Sequence, residues 1–267
     1  MRPQVVAHRG ASFENAEHTL GAYVQAIREG AEALECDVRL TADGHLVCVH
    51  DRDLRRTAST RGLVSTMDLA DLDRLEFASW KNPWATLDDE APDRDRDLDG
   101  VLTLRRLLET VAEAERPVEL AIETKHPTRY GGLVERRLVE ALAEFGWTGP
   151  DSPVRVMSFS YVALQRMARL APHVRLVMLI DKARNWSVLK PVLEDDWLLG
   201  PGIEALTRHP RFAEKLVATG RELHVWTVNT REQLDLCLEL EAAAVITDRP
   251  RDILGWLAAA HAVTDAS

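Results

Sequence analysis

Apolar positions along the chain switch repeatedly between a spacing of about two residues and a spacing of about 3.6. "QVVAH" (4–8) is a short apolar run of strand length, and "TLGAYVQAIREGA" (19–31) sets Leu20, Tyr23, Val24 and Ile27 at helical spacing, with Gly30 near its end. "EALECDVRL" (32–40) reads as a second strand. Asp43-Gly44 in "TADGH" (41–45) marks a hairpin turn, and "LVCVH" (46–50) is the return strand. The alternation then pauses over residues 52–100, which include the charged run "DDEAPDRDRDLDG" (88–100), a solvated loop by composition. Trp80 and Trp84 in this segment are placed either to cap the core or to flank a pocket.

From 103 the pattern resumes. Helix 103–115 precedes strand 118–125, helix 132–145 precedes strand 154–160, and helix 161–171 precedes strand 174–180. A helical stretch near 185–196, a strand-like 198–204, helix 210–219, strand 222–229, helix 231–241, strand 243–248 and helix 251–262 complete the chain. Without the hairpin return these are eight strand–helix units, which predict a (β/α)8 TIM barrel with a small insertion after the second strand. The barrel is expected to form one domain over 1–267, with 52–100 as the insertion. A doubly wound sheet is the alternative, but no GxGxxG or P-loop supports it.

Polar residues interrupt the strands where a barrel would open. In a strand, residues two apart share a face, so Glu35 and Asp37 point one way and Cys36 and Val38 the other. The predicted strand ends carry His8-Arg9-Gly10, Glu35 and Asp37, Glu123-Thr124-Lys125, Ser158-Phe159-Ser160, Trp226 to Asn229, and Thr247-Asp248. These groups converge on one mouth, the C-terminal face where barrel enzymes keep their active sites. Three carboxylates at close quarters repel unless a cation lies among them. Glu35, Asp37 and Glu123 offer the hard oxygens that suit one divalent cation, Mg²⁺ or Ca²⁺. Arg9 and Lys125 add fixed positive charge, which with a cation makes a clamp for a phosphate. His8 and His50 are candidates for general acid and base.

The chain has 267 residues and a formal net charge of −10, which argues against nucleic acid as a partner but not against a small anionic substrate. Cys36, Cys48 and Cys237 are widely spaced and read as buried thiols of a reducing compartment. The N-terminal residues show no signal peptide and no run is long enough to span a membrane, so a cytoplasmic location is expected.

The order of these fragments resembles the glycerophosphodiester phosphodiesterase family. His8-Arg9-Gly10, Glu35 and Asp37 before Asp43-Gly44, His50-Asp51, Glu123 and Lys125, Ser158-Phe159, Trp226 to Asn229 and Thr247-Asp248 all match, from residue 8 to about 254. The resemblance implies a TIM barrel and a divalent metal held by Glu35, Asp37 and Glu123. It also implies His8 and His50 as the acid–base pair, and Arg9 with Lys125 on the phosphate. The reaction it implies splits a glycerophosphodiester into an alcohol and sn-glycerol 3-phosphate. Water or the neighbouring glycerol hydroxyl could serve as nucleophile. Glu17, Ser158, Phe159, Trp226 and Asn229 are candidates for the substrate pocket. One departure stands out: members commonly read Pro-Glu-Asn-Thr before the first helix, and here Glu17-His18-Thr19 stands in its place. The alternatives are a phosphodiesterase of lysophospholipid or another lipid headgroup, and a non-catalytic barrel that binds phosphodiesters. Headgroup preference and oligomeric state are not written in these motifs.

Overall fold

The computed structural model describes residues 2–81 and 95–264. The parallel strands are β1 (Gln4–His8), β2 (Ala33–Leu40), β4 (Glu119–Thr124), β5 (Val154–Ser158), β6 (Arg175–Ile180), β7 (Leu198–Pro201), β8 (His224–Val225) and β9 (Ala244–Thr247). They follow one another in the order β7-β6-β5-β4-β2-β1-β9-β8. Two isolated bridges, Leu199 to Leu223 and Gly202 to Trp226, join β7 to the β8 region and bring the ring nearly to closure. The remaining strand, β3 (Leu46–Cys48), runs antiparallel to β2 with Val38 opposite Cys48. Gly44 supplies the positive φ of 89° in the turn between them.

Helices cover the outside: α1 (Leu20–Arg28), α5 (Leu104–Ala112), α6 (Leu133–Glu144), α7 (Tyr161–Leu170), α8 (Trp186–Leu189), α9 (Ile203–Arg208), α10 (Pro210–Val217), α11 (Arg231–Glu239) and α12 (Pro250–Thr264). The short α2 (Arg55–Ala58), α3 (Leu69–Leu72) and α4 (Arg96–Asp99) lie between β3 and α5. Hydroxyl caps start several of the barrel helices. Thr19, Thr103 and Ser160 accept backbone N–H groups of α1, α5 and α7, and Thr230 with Gln233 forms a capping box on α11.

The alternation inside each strand separates two cores. Outward residues of β2 (Leu34, Cys36, Val38 and Leu40) join the large cluster under the helices. Inward residues form a small cluster within the ring, including Val6, Ala33, Ala121, Met157, Val177 and Ile246. The inward positions of β1, β2 and β4 beyond that cluster are His8, Glu35, Asp37 and Glu123. Register places His8 beside Glu35 and Asp37 beside Glu123. A third cluster (Val47, Val49, Leu54, Val64, Leu72 and Phe77) gives the segment after β3 its own core.

Several boundaries differ from the periodicity. The helical stretch near 185–196 breaks into α8 flanked by 3₁₀ turns, with Pro191 within the second of them. Proline lacks the N–H that a continuing helix needs. The strand-like 198–204 ends at Pro201, and α9 begins at Ile203. Strand 222–229 narrows to the two residues of β8; beyond Val225 the chain keeps single backbone bonds to Pro201 and Ile246, and the Trp226 indole donates to the Gly200 carbonyl at 2.8 Å. Trp80 lies beneath Arg56 and Lys81, 5.6 and 5.7 Å from its ring. Trp84 and residues 88–94 of the charged run lie outside the described residues.

Candidate active site

Glu35, Asp37 and Glu123 each present an oxygen within 4.8 Å of the others, and all three are buried. Lys125 Nζ stands 2.9 Å from Asp37 Oδ1 and 2.8 Å from Glu123 Oε2. Arg9 Nε stands 3.2 Å from Asp37 Oδ2. Two cations therefore face three carboxylates, and the charges do not settle evenly. Burial raises the pKa of Asp37, but Lys125, Arg9 and the His18 hydrogen bond together outweigh it and hold the carboxyl well below its usual range. Burial and then the Asp37 charge push Glu35 well above its usual range and Glu123 up to about 8. Asp37 Oδ1 accepts no well-aligned hydrogen bond despite its burial. A hard cation would supply both missing items, a counter-charge for the acids and a partner for that oxygen. The donor set fits such an ion.

Arg9 sits in a strained loop. Its φ is 57°, and Gly10 follows at 84°. A Cβ on Gly10 would lie 2.6 Å from the Ala22 backbone, so only glycine lets this loop meet the first turn of α1. The Arg9 backbone N–H donates to Glu35 Oε2 at 3.0 Å, and its guanidinium donates to Glu17 at 3.0 Å. Glu17 also accepts two bonds from Arg56, at 2.8 and 2.6 Å. Burial raises the Glu17 pKa, yet Arg56 and Arg9 bring it down to about 2.

Both histidines are held through Nδ1. His8 Nδ1 lies 2.6 Å from Asp248, and His50 Nδ1 lies 2.8 Å from Asp51. In each ring the carboxylate fixes the proton on Nδ1 and leaves Nε2 free. Asp248 is itself braced by donors from Ser12 at 3.0 Å and Asn229 at 2.6 Å. Burial, with help from Arg9 and Lys125, brings the His50 pKa down to about 4, against the opposing pull of Asp37 and Asp51.

A cavity of about 200 Å³ opens over this group. His8, Arg9, Glu35, His50, Glu123 and Lys125 line one side of it. Met157, Phe159, Leu179, Trp226 and Ile246 line the other, with Phe159 edge-on to Trp226 at 5.5 Å. The remaining predicted residues stand behind the lining. Ser158 donates to the Thr124 carbonyl at 3.0 Å and ties β5 to β4. Asn229 braces Asp248, and Glu17 braces Arg9.

Residues 8–252 match the model of the Glycerophosphoryl diester phosphodiesterase family. The chain belongs to that family. It is 43% identical over 259 residues to a Mycobacterium tuberculosis protein named "Probable glycerophosphodiester phosphodiesterase 1", covering 96% of this chain and 92% of the relative. It is 27% identical to the glycerophosphodiester phosphodiesterase of Caldanaerobacter subterraneus, covering 95% and 97%. Its fold superposes with a TM-score of 0.80 on an Oleispira antarctica phosphodiesterase solved with the product sn-glycerol-3-phosphate, at 26% identity over 96% of each chain.

Within this family arrangement, His18 has a definite place. Its Nε2 lies 2.9 Å from Asp37 Oδ2, and its Nδ1 lies 2.8 Å from the Tyr23 hydroxyl. A carboxylate only accepts, so Nε2 carries the proton toward Asp37. Burial lowers the His18 pKa, which favours the neutral ring. The histidine thus donates to Asp37 from a position fixed by Tyr23. Motif reading matched Thr247-Asp248 without assigning Asp248 a partner, and it passed over Arg56. Asp248 was visible as the polar end of an apolar strand, whereas Arg56 had no signal beyond its charge.

Proposed function

We propose that this chain hydrolyses glycerophosphodiesters to an alcohol and sn-glycerol 3-phosphate, using one divalent cation, Mg²⁺ or Ca²⁺, held by Glu35, Asp37 and Glu123. The observation that carries the reading is one cavity lined by Glu35, Glu123, Arg9, Lys125 and both histidines, with Asp37 clustered against the two glutamates. Membership of the family and the product-bound neighbour support it. The cation, when bound, supplies Lewis-acid polarisation of a phosphate oxygen. Arg9 and Lys125 bring fixed positive charge to the same wall, where it offsets the negative charge that grows on phosphorus oxygens. His50, uncharged at neutral pH with Nε2 free, takes a proton from the attacking hydroxyl. His8, with its Nδ1–H held by Asp248, acts from the imidazolium form, whose second proton on Nε2 goes to the departing alkoxide. The apolar wall of Trp226 and Phe159 shelters the carbon skeleton of the glycerol.

The test is release of glycerol 3-phosphate from glycerophosphocholine with EDTA present, and then with Mg²⁺ or Ca²⁺ restored. Cation-dependent release is the expected result, and absence of release with either ion defeats the proposal. A second reading, cleavage of a lysophospholipid, is favoured by one observation: Phe159 at the cavity lip is 42% exposed. Faster cleavage of long-chain lysolipid than of glycerophosphocholine would decide for it.

A further inference from the structure

A second cluster of positive charge lies beside the catalytic cavity. Arg39 on β2, Arg52 after the hairpin and Arg129 in the loop after β4 line one cleft together with Lys125. The chain has 43 acidic and 33 basic residues, yet the three arginines of this cleft stand together with no carboxylate between them. Arg9 pairs with Glu17 and Asp37, and Arg56 with Glu17 and Asp51. Among the described residues, Arg39, Arg52 and Arg129 form no ion pair, and no carboxylate lines the cleft.

The cleft is held in shape. Tyr130 donates its hydroxyl to the Ser65 carbonyl at 2.8 Å and so clips the segment after β3 to the loop after β4. Arg39 is half-buried and spends Nε and Nη2 on the His50 carbonyl, at 2.9 and 2.6 Å. The Ser65 hydroxyl lines the cleft and has no partner among the described residues. The volume is about 30 Å³, room for two or three water-sized oxygens by the measure that gives one water about 10–15 Å³. Guanidinium groups present paired N–H donors that match an oxyanion.

The geometry points to a second oxyanion site in this cleft, one side chain away from the catalytic cavity, since Lys125 lines both. Its occupant is a phosphoryl or carboxylate group. That group belongs either to the alcohol portion of the diester or to a free anion. Only the first source rests on the proposed function. In that case the enzyme favours glycerophosphodiesters whose alcohol carries its own negative charge.

The double variant Arg52→Ala/Arg129→Ala tests the site, because both residues are exposed and neither belongs to the catalytic set. Inorganic phosphate is titrated calorimetrically into the Mg²⁺-supplemented wild type and the variant. The variant should bind one phosphate fewer, or bind it about tenfold more weakly, the worth of one charge-assisted hydrogen bond. Equal stoichiometry and affinity in the two proteins overturn the inference. Turnover then identifies the source. A substrate-borne group predicts that kcat/KM for glycerophosphoinositol phosphate falls about tenfold in the variant, while that for glycerophosphocholine stays within about twofold. A free anion predicts that both substrates change together although phosphate binding is lost. If the variant loses phosphate binding but the wild type hydrolyses neither substrate, the oxyanion site stands and the functional reading falls.

Discussion

The two ends of the barrel both bury charge, and they do so in opposite ways. At the N-terminal end, Arg155 is 2% exposed and fills the ring interior. It donates to Glu119 at 2.7 Å and to the Gln4 amide at 2.8 Å. One cation meets one carboxylate and one amide, so the charges balance, although the buried Arg155 Nε has no hydrogen-bond partner. Burial still brings the Arg155 pKa down to about 10, but the guanidinium stays charged at any ordinary pH. At the C-terminal end three carboxylates share two cations, two of the acids are driven upward, and a buried Asp37 oxygen lacks an aligned donor. The lower end is a structural plug whose one buried cation has its carboxylate. The upper end carries more carboxylates than cations, which is what the proposed metal site would balance.

The sharpest way to break this contrast is to remove a proton-transfer group from the upper end. His50→Ala should lower kcat/KM by about 10²–10⁴-fold, the usual worth of general acid–base catalysis, with a thermal midpoint near that of wild type. A near-normal rate would remove His50 from the chemistry. Saturating cation comes next: at about 100 times its Kd it should stabilise the fold by about 2.7 kcal/mol, a gain seen as a rise in melting temperature. Glu35→Gln should abolish most of that rise, whereas substitutions around Arg155 should leave it intact. At the lower end, Glu119→Ala strands the buried Arg155 charge and should cost about 2 kcal/mol in urea unfolding. The cost is below that of a fully enclosed pair because the Glu119 side chain is 44% exposed. The same variant should keep the kcat/KM of wild type; a large loss there would mean that the two ends are coupled.

The smallest effect is one of pH. Burial brings the His224 pKa down to about 4, with Arg155 and Arg175 adding to it and Glu222 opposing. A group depressed in the fold favours the neutral ring, so its contribution is complete above pH 6.5 and is lost as pH falls toward 4. At pH 5.5 the loss should be about 1 kcal/mol. Comparing unfolding of wild type and His224→Gln at pH 7 and 5.5 measures it, and equal slopes would deny the lower end its titrating group.

Most of the upper end could be read from the chain, for a physical reason. A strand interior prefers apolar residues, so Glu35, Asp37 and Glu123 at alternate positions of apolar runs announce a face that is not simply core. The lower end gave no comparable signal. Arg155 and Gln4 sit at the first turns of their strands, where a charged residue looks like the exposed start of an element. Only the closed ring turns those positions inward. The two-residue β8 and the divided helix after β6 were hidden for a similar reason. Their limits coincide with Pro191 and with the Trp226–Gly200 bond, contacts that periodicity does not encode.

The ring is not equally knit all round. Between β2 and β4 the ladder pairs six residues on each strand, from Ala33 with Glu119 to Val38 with Thr124. Between β7 and the β8 region it rests on two isolated bridges. In ring order that thin seam stands across from the wall of Glu35, Asp37 and Glu123. Local opening begins where the fewest interactions must be given up. Breathing of this barrel therefore belongs to the side that carries Trp226, and the carboxylate wall stays still while it happens.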